Sequence, residues 1–204
     1  MIDLSSVKVY DNLLDDRFIL DIDEESNRYH WVVDNVANRK SFPNQTKGSH
    51  KFLNVSYYSI EKTPPSIVNL FSFLSNNILY NKFNINSISL NLQTIGLNGQ
   101  THCDSFNDPK KYTLLVFINH IWEKNWGGQF QIMDNPNIIQ DPHKTFYLDN
   151  KSSKELYKKE KVIKSIKYKP GRVILFPSNI PHRGLAPSKP YIFRKSLVYR
   201  LSLK

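Results

Sequence analysis

The sequence contains a single cysteine among its 204 residues. One cysteine excludes an internal disulfide and any zinc site built from several cysteines. No apolar run approaches the roughly 18 residues that a membrane-spanning helix requires. The first residues show neither the basic start nor the apolar stretch of a secretory signal. We therefore expect a soluble, cytoplasmic protein.

Glycine is also scarce, with 7 residues in the whole chain, about half of the usual share of roughly 7%. Glycine used this sparingly is expected where the backbone requires it. Hydrophobic residues make up 40% and charged residues 23% of the chain, which is typical of a globular protein. The length fits one domain with a sizeable core, so we expect residues 1–204 to form a single domain.

The chain is basic, with 28 Lys and Arg against 18 Asp and Glu and a formal net charge of +10. Much of the excess lies in residues 151–169, which contain eight Lys and two Glu. A solvated, lysine-rich excursion explains this stretch better than a docking surface does. The charge keeps nucleic acid open as a partner, but it does not favour one.

The apolar pattern changes along the chain. Helical spacing predicts a helix over about 13–27 and another that starts at Thr63, as N-cap, and runs to about 80. After residue 84 the period becomes two and predicts strands over 85–95, 112–119, 129–133, 145–148, 162–168, 172–176 and 193–203. We therefore predict a mainly β chain, with helical and strand support over 1–84 and an antiparallel sandwich or barrel core over 85–204.

The first chemical motif is a histidine and an aspartate two residues apart, His102 and Asp104. On a strand or its extended end, side chains at this spacing point the same way. Together they can hold one cation. Such a pair alone is weak evidence, because it also occurs on ordinary strand ends.

His182 is a third candidate, 80 residues after His102, and it follows a tight turn, an apolar strand and a proline-bounded loop. A sandwich can bring strand ends that are this far apart in sequence to one mouth. Two histidines and one carboxylate are the facial triad that leaves positions open on non-haem Fe(II). A structural loop histidine is the competing explanation for His182.

Arg194 stands near the start of an otherwise apolar terminal strand. Its charge is costly to bury unpaired, and a planar fork that binds a carboxylate by two hydrogen bonds explains it. Ser196 shares its face and can add a hydroxyl. Arg200 has the same parity, and Arg183 directly follows His182, so both remain competing candidates.

Taken in order, these motifs resemble the Fe(II)/2-oxoglutarate-dependent oxygenases, and within them the prolyl 4-hydroxylase-like branch with its small bacterial and phage members. The resemblance covers the chain from about residue 88 to its end. It rests on His102, Cys103 and Asp104, residues 112–119, Trp122, residues 126–130, residues 170–173, His182, and Arg194 with Ser196.

The resemblance implies a double-stranded β-helix (jelly roll) with the metal at one open end. It assigns His102, Asp104 and His182 to Fe(II), with 2-oxoglutarate and O2 as cosubstrates. It assigns Arg194 and Ser196 to the distal carboxylate of 2-oxoglutarate. It also implies a dioxygenase that hydroxylates an unactivated C–H bond of a prolyl, amino-acid-like or small-molecule substrate, and releases succinate and CO2.

The sequence departs from the family pattern at two positions, and two further polar positions are candidates for the pocket. Phe117 stands where many relatives carry a cosubstrate-binding tyrosine, and Gln129 stands where an acid is common. On the strand before the His-x-Asp motif, Asn91 and Gln93 alternate with apolar residues. We predict that they point into the pocket, where they can contact 2-oxoglutarate or substrate; outward-facing polar positions are equally compatible with the pattern.

Three other functions remain open. An AlkB-like oxidative dealkylase acting on nucleic acid would use the spacing of Arg194 and Arg200, but such enzymes lack the Trp-Gly-Gly segment. A catalytically silent jelly-roll binding module would need no cosubstrate. A zinc hydrolase with the same three ligands would need a general base, and none is evident. The substrate itself and the oligomeric state do not follow from the sequence.

Overall fold

The structure, a computed structural model, describes residues 2–34, 52–105, 108–135 and 159–204. Its two α-helices are α1 (Asp16–Ser26) and α2 (Pro65–Leu74). Its strands are β1 (Lys8–Tyr10), β2 (Val32–Asp34), β3 (Phe52–Tyr57), β4 (Phe83–Gln93), β5 (Lys111–Phe117), β6 (Phe130–Asp134), β7 (Lys161–Ile166), β8 (Val173–Pro177), β9 (His182–Gly184) and β10 (Arg194–Leu203).

These strands form two sheets. The larger has seven strands in the order β1-β8-β5-β10-β4-β3-β2, and the smaller has three in the order β7-β6-β9. Every strand pairing is antiparallel. The N-terminal part of the chain therefore adds β1 to one edge of the larger sheet and β3 and β2 to the other, as well as the two helices.

One face of the larger sheet packs against the helices, and the other packs against the smaller sheet. Ile19 and Ile22 of α1 and Leu70 of α2 lie in one apolar cluster with strand residues such as Leu197 and Tyr199. A second cluster fills the space between the sheets. The prediction of a mainly β chain with N-terminal helices is confirmed.

β10 runs through the middle of the larger sheet and separates the two clusters. Its side chains alternate, as a strand requires. Leu197 and Tyr199 face the helices, and Val198 faces the smaller sheet. Arg194, Ser196 and Arg200 share the parity of Val198, so these three polar residues of β10 point into the space between the sheets.

Several predicted elements differ from the structure in detail. The helix predicted over 13–27 begins at Asp16, because the Asp15 side chain caps it by accepting a 2.7 Å hydrogen bond from Phe18 N. Thr63 does not cap α2, since its hydroxyl donates to Ser59 O. The short strand β9 was not predicted. The strand predicted over 145–148 lies outside the described residues.

The lysine-rich stretch is described only from residue 159 onward. There it forms β7, and it ends near Tyr168, which is buried in the cluster between the sheets. This part of the stretch therefore pairs into the smaller sheet, as the strand predicted over 162–168 requires, while most of its side chains, Lys161 and Lys167 among them, stay exposed. Among the described residues, no helix is both long and apolar enough to cross a membrane.

Candidate active site

Three side chains from two distant segments meet at the edge of the smaller sheet. The ligand atoms of His102, Asp104 and His182 all lie within 4.8 Å of one another. His102 Nε2 is 3.3 Å from Asp104 Oδ1, and His182 Nε2 is 3.5 Å from Asp104 Oδ2. The structure therefore brings together the three residues that the sequence predicted as metal ligands.

Backbone pairing sets this convergence. His102 N donates to His182 O at 3.0 Å, and His182 N donates to His102 O at 2.9 Å, so the two residues form an antiparallel bridge. The segment around His102 thus continues the smaller sheet beyond β9. Directly opposed residues in such a pair place their side chains on the same face, which brings the two imidazoles side by side.

Both imidazoles are oriented by a backbone carbonyl. His102 Nδ1 is 2.9 Å from Gln100 O, and His182 Nδ1 is 2.8 Å from Ile180 O. A carbonyl oxygen only accepts, so each Nδ1 carries a proton, and Nε2 is the ring nitrogen left for a metal. Burial also lowers the pKa of His182 to about 4. A neutral imidazole with its outer nitrogen held by the backbone is the usual arrangement of a metal ligand.

Asp104 is held ionised although its side chain is 1% exposed. Thr113 Oγ1 donates to its Oδ2 at 2.6 Å, and Arg200 Nη2 donates to its Oδ1 at 2.6 Å. Burial alone would raise the pKa of Asp104, but Arg200 and the two histidines outweigh burial and hold the pKa well below its usual range. Two imidazole nitrogens and one carboxylate fit a facial Fe(II) site.

Arg194 lies on the same inner face and is 2% exposed. Its Nε donates to Gly128 O at 2.9 Å, and its Nη1 donates to Gln93 Oε1 at 2.7 Å and to Ser196 Oγ at 3.3 Å. Within the described parts of the chain, no carboxylate forms an ion pair with it. Burial lowers the pKa of Arg194 to about 10. All the partners of this buried guanidinium are neutral. An anionic ligand would supply the counter-charge that it lacks.

The two other candidate arginines are already paired with carboxylates. Arg200 binds Asp104, as described above, and Arg183 Nη1 donates to Glu160 Oε1 at 2.7 Å. Arg183 Nε donates to Gln131 Oε1 at 2.8 Å. These pairings leave Arg194 as the best-suited of the three for a dicarboxylate cosubstrate.

The two predicted polar positions of β4 have different surroundings. The amide nitrogen of Gln93 donates to Leu97 O and Gly184 O at 2.7 and 3.1 Å, so that its oxygen faces Arg194. Asn91 lies opposite Ser196 in the larger sheet. Its side-chain oxygen accepts a 2.9 Å hydrogen bond from Asn54 Nδ2.

An aromatic wall that the sequence did not indicate stands beside Arg194. Tyr168 stacks on Phe117 at 4.1 Å and on Trp122 at 4.0 Å between ring centroids. The guanidinium carbon of Arg194 lies 5.2 Å from the Phe117 ring and 5.6 Å from the Tyr168 ring. Phe117, which stands where many relatives carry a cosubstrate-binding tyrosine, thus contributes an aromatic ring beside Arg194 but no hydroxyl. The Tyr168 hydroxyl is occupied elsewhere, on Asn119 Oδ1 and Lys195 O.

The glycine pair of the Trp-Gly-Gly segment fits closely around this wall. Gly127 and Gly128 both have φ of +76°, a conformation that favours glycine. A Cβ on Gly128 would lie 2.6 Å from Trp122 Cζ2. The scarcity of glycine therefore did indicate a required position, although it did not identify Trp122 as the neighbour.

Comparison with known proteins agrees with this geometry. The family model described as 2OG-Fe(II) oxygenase superfamily matches residues 90–201, more than half of the chain. No curated protein matches the sequence significantly.

Solved structures show the same architecture. A Pseudomonas putida prolyl-4-hydroxylase is 14% identical with a TM-score of 0.55, over 98% of this chain and 93% of that one. A viral collagen prolyl hydroxylase from Paramecium Bursaria Chlorella virus-1, in a 2OG complex, is 15% identical with a TM-score of 0.55, over 98% and 97%. HygX from Streptomyces hygroscopicus, with nickel and 2-oxoglutarate bound, is 12% identical with a TM-score of 0.60, over 98% and 83%. The predicted double-stranded β-helix is confirmed.

Proposed function

The chain belongs to the 2OG-Fe(II) oxygenase superfamily, and we propose that it hydroxylates an unactivated C–H bond of a prolyl, amino-acid-like or small-molecule substrate. It is an oxygenase that depends on Fe(II) and 2-oxoglutarate. The observation that carries the proposal is the convergence of two oriented imidazoles and one ionised carboxylate within 4.8 Å.

His102, Asp104 and His182 are the residues that would hold the iron. Bound iron and 2-oxoglutarate supply the oxidation, in which O2 converts 2-oxoglutarate to succinate and CO2 and one oxygen atom enters the substrate C–H bond. The protein supplies the geometry. Its backbone carbonyls keep both Nε2 atoms available, and Thr113 and Arg200 fix the plane of the Asp104 carboxylate.

Arg194 and Ser196 would bind the distal carboxylate of 2-oxoglutarate. Gln93 and Gly128 hold the guanidinium from two sides, so its position is set before the cosubstrate arrives. Phe117 and Tyr168, which are buried and stack with Trp122 beside Arg194, make that end of the site apolar. A preorganised, dry site strengthens each charge-assisted hydrogen bond.

The substrate class draws its support from the relatives and from the exposed end of the site. The similar structures include prolyl hydroxylases from a bacterium and a virus. His102 is partly exposed, with 23% of its side chain accessible, whereas His182 is 7% exposed. A substrate that approaches the metal would therefore reach it from the side of His102.

Two assays test this function. The protein with Fe(II), 2-oxoglutarate and O2 should release succinate, and incubation with candidate peptides and amino acids should give a product 16 Da heavier by mass spectrometry. Asp104→Ala should abolish turnover, whereas the exposed Glu123→Gln should not. Absence of iron-dependent succinate from the unchanged protein, or stoichiometric Fe(II) binding by a His102→Ala/His182→Ala double variant, would contradict the proposal.

A further inference from the structure

A carboxylate on the outer face of the smaller sheet bridges the two segments that carry the histidines. Glu160 Oε2 accepts a 2.7 Å hydrogen bond from Thr101 Oγ1. Glu160 Oε1 accepts a 2.7 Å hydrogen bond from Arg183 Nη1. The residue itself lies immediately before β7, and neither segment is its neighbour in sequence.

The two partners of Glu160 are the chain neighbours of the metal-binding histidines. Thr101 precedes His102, and Arg183 follows His182. In the antiparallel bridge between His102 and His182, the residues before one and after the other stand opposite each other. Because successive side chains of a strand point to opposite faces, Thr101 and Arg183 point outward where the histidines point inward. Glu160 therefore links the His102 and His182 segments on the face of the smaller sheet that points away from the metal residues.

The bridge is partly shielded from solvent. The Glu160 side chain is 14% exposed and that of Arg183 25%, and Thr101 is buried. Gln131 of β6 accepts from Arg183 Nε at 2.8 Å, which fixes the guanidinium for its bond to Glu160. A shielded charge-assisted pair held by a third group orders its surroundings more than an exposed surface pair does.

We propose that Glu160 is a positioning residue for the metal centre, which holds the two histidine-bearing segments at the separation that lets both Nε2 atoms reach one ion. The inference rests on the proposed function, because it assumes that His102, Asp104 and His182 bind the metal. Glu160 contacts neither metal nor cosubstrate; it acts through Thr101 and Arg183.

The test is metal affinity, measured without turnover. Isothermal titration of the metal-stripped protein with Fe(II) under anaerobic conditions, or with Co(II), gives the dissociation constant for each variant. Loss of an outer partner of a metal ligand typically costs about 10–100-fold in affinity. Glu160 acts one residue further from the metal, so Glu160→Ala should weaken metal binding by about tenfold, the lower end of this range. Glu160→Gln should weaken it less, because its amide oxygen still accepts from one partner.

A second ion pair provides a matched control. Arg172 Nε donates to Asp11 Oδ1 at 2.7 Å, away from the metal residues. Asp11→Ala should change the melting temperature of the protein but not its metal affinity. A Glu160→Ala/Arg183→Ala double variant should lose less metal affinity than the sum of the two single losses, because both changes remove the same bridge.

The outcomes separate this inference from the proposed function. If the unchanged protein binds no metal, the proposed function fails. If the unchanged protein binds metal and Glu160→Ala binds it equally well, or loses only as much as Asp11→Ala, then Glu160 serves stability alone and the positioning role is wrong.

Discussion

Arg194 lies directly opposite Gln93 in the pairing of β10 with β4, and the Gln93 side-chain oxygen accepts a 2.7 Å hydrogen bond from Arg194 Nη1. Both donors of the Gln93 amide are engaged by carbonyl oxygens. The orientation of the amide is therefore determined, and it presents its acceptor to the guanidinium. This pair makes Arg194 a preset anion receptor and underlies the first prediction.

Replacing Arg194 with Ala should raise the 2-oxoglutarate concentration required for half-saturation by on the order of 10²–10³. Charge-assisted hydrogen bonds are worth roughly 1.5–3 kcal/mol each, and each 1.4 kcal/mol is about tenfold in affinity. Metal affinity should be unchanged. Arg194→Lys should restore only part of the loss, because a point charge does not reproduce the planar fork. Cosubstrate titration of each variant measures the effect.

Arg200→Ala is the comparison that decides between the two inner-face arginines. It removes a partner of Asp104, so we expect weaker metal binding and a smaller change in 2-oxoglutarate affinity. If Arg200→Ala loses 2-oxoglutarate while Arg194→Ala binds it normally, the assignment of Arg194 is wrong.

Gly128→Ala should destabilise the protein and also weaken 2-oxoglutarate binding. An alanine at φ of +76° is strained, and its Cβ would overlap Trp122 Cζ2 at 2.6 Å. The strain costs about 1–2 kcal/mol, and overpacking adds roughly 1–3 kcal/mol. Because Gly128 O accepts from Arg194 Nε, movement of this segment also displaces the guanidinium.

Gly96→Ala separates the two costs of the Gly128 change. Gly96 has φ of +83°, yet nothing lies within 4 Å of a Cβ built there. Urea unfolding should show the strain alone in Gly96→Ala and the larger loss in Gly128→Ala, with cosubstrate affinity altered only in the latter. Equal losses in the two variants would mean that Trp122 moves aside freely.

Cys103→Ala should retain most of the activity. Cys103 lies between two residues that face the metal, so its side chain points away from them, and its Sγ contacts Asn179 O at 3.2 Å. The residue is 3% exposed, so we expect a modest loss of stability and normal metal affinity. A loss of metal binding as large as that of Asp104→Ala would show that the thiol takes part in the site.

Acidification should destabilise the metal-stripped protein through His182. Burial lowers the folded pKa of His182 to about 4, whereas an unfolded histidine has a pKa of about 6.5. Between these values the unfolded chain binds a proton that the folded protein does not, so stability falls as the pH falls from about 6.5 to about 4. Urea unfolding of the unchanged protein and of His182→Gln should show a shallower decline in the variant; equal slopes would contradict it.

The sequence predicted the metal residues because they leave local marks, whereas the jelly roll followed from the family resemblance. His102 and Asp104 share a parity that any extended segment preserves, and the strand-turn-histidine pattern before His182 is contiguous. Arg194 stood out for the same reason, as a charge in an apolar strand. Their roles toward iron and 2-oxoglutarate stay predictions that the variants above test.

The remaining parts of the site depend on pairings between distant segments. Asn54 contacts Asn91 only because β3 lies beside β4, and no local pattern specifies that neighbour. Tyr168 was assigned to a solvated stretch by the lysines around it, yet its ring lies between Phe117 and Trp122. Glu160 stands in the same stretch, where it is one of two acids among eight lysines, and the local sequence shows nothing of its two partners across the sheet.

The separation of His102 and His182 in the sequence sets the order in which the metal ligands become available during synthesis. The ribosome adds about 5–20 residues per second, so the 80 residues between the two histidines take roughly 4–16 s to be made. During that interval the nascent chain carries at most two of the three ligands and lacks β10, the central strand of the larger sheet. A chain that stalls before His182 therefore offers iron only a bidentate site.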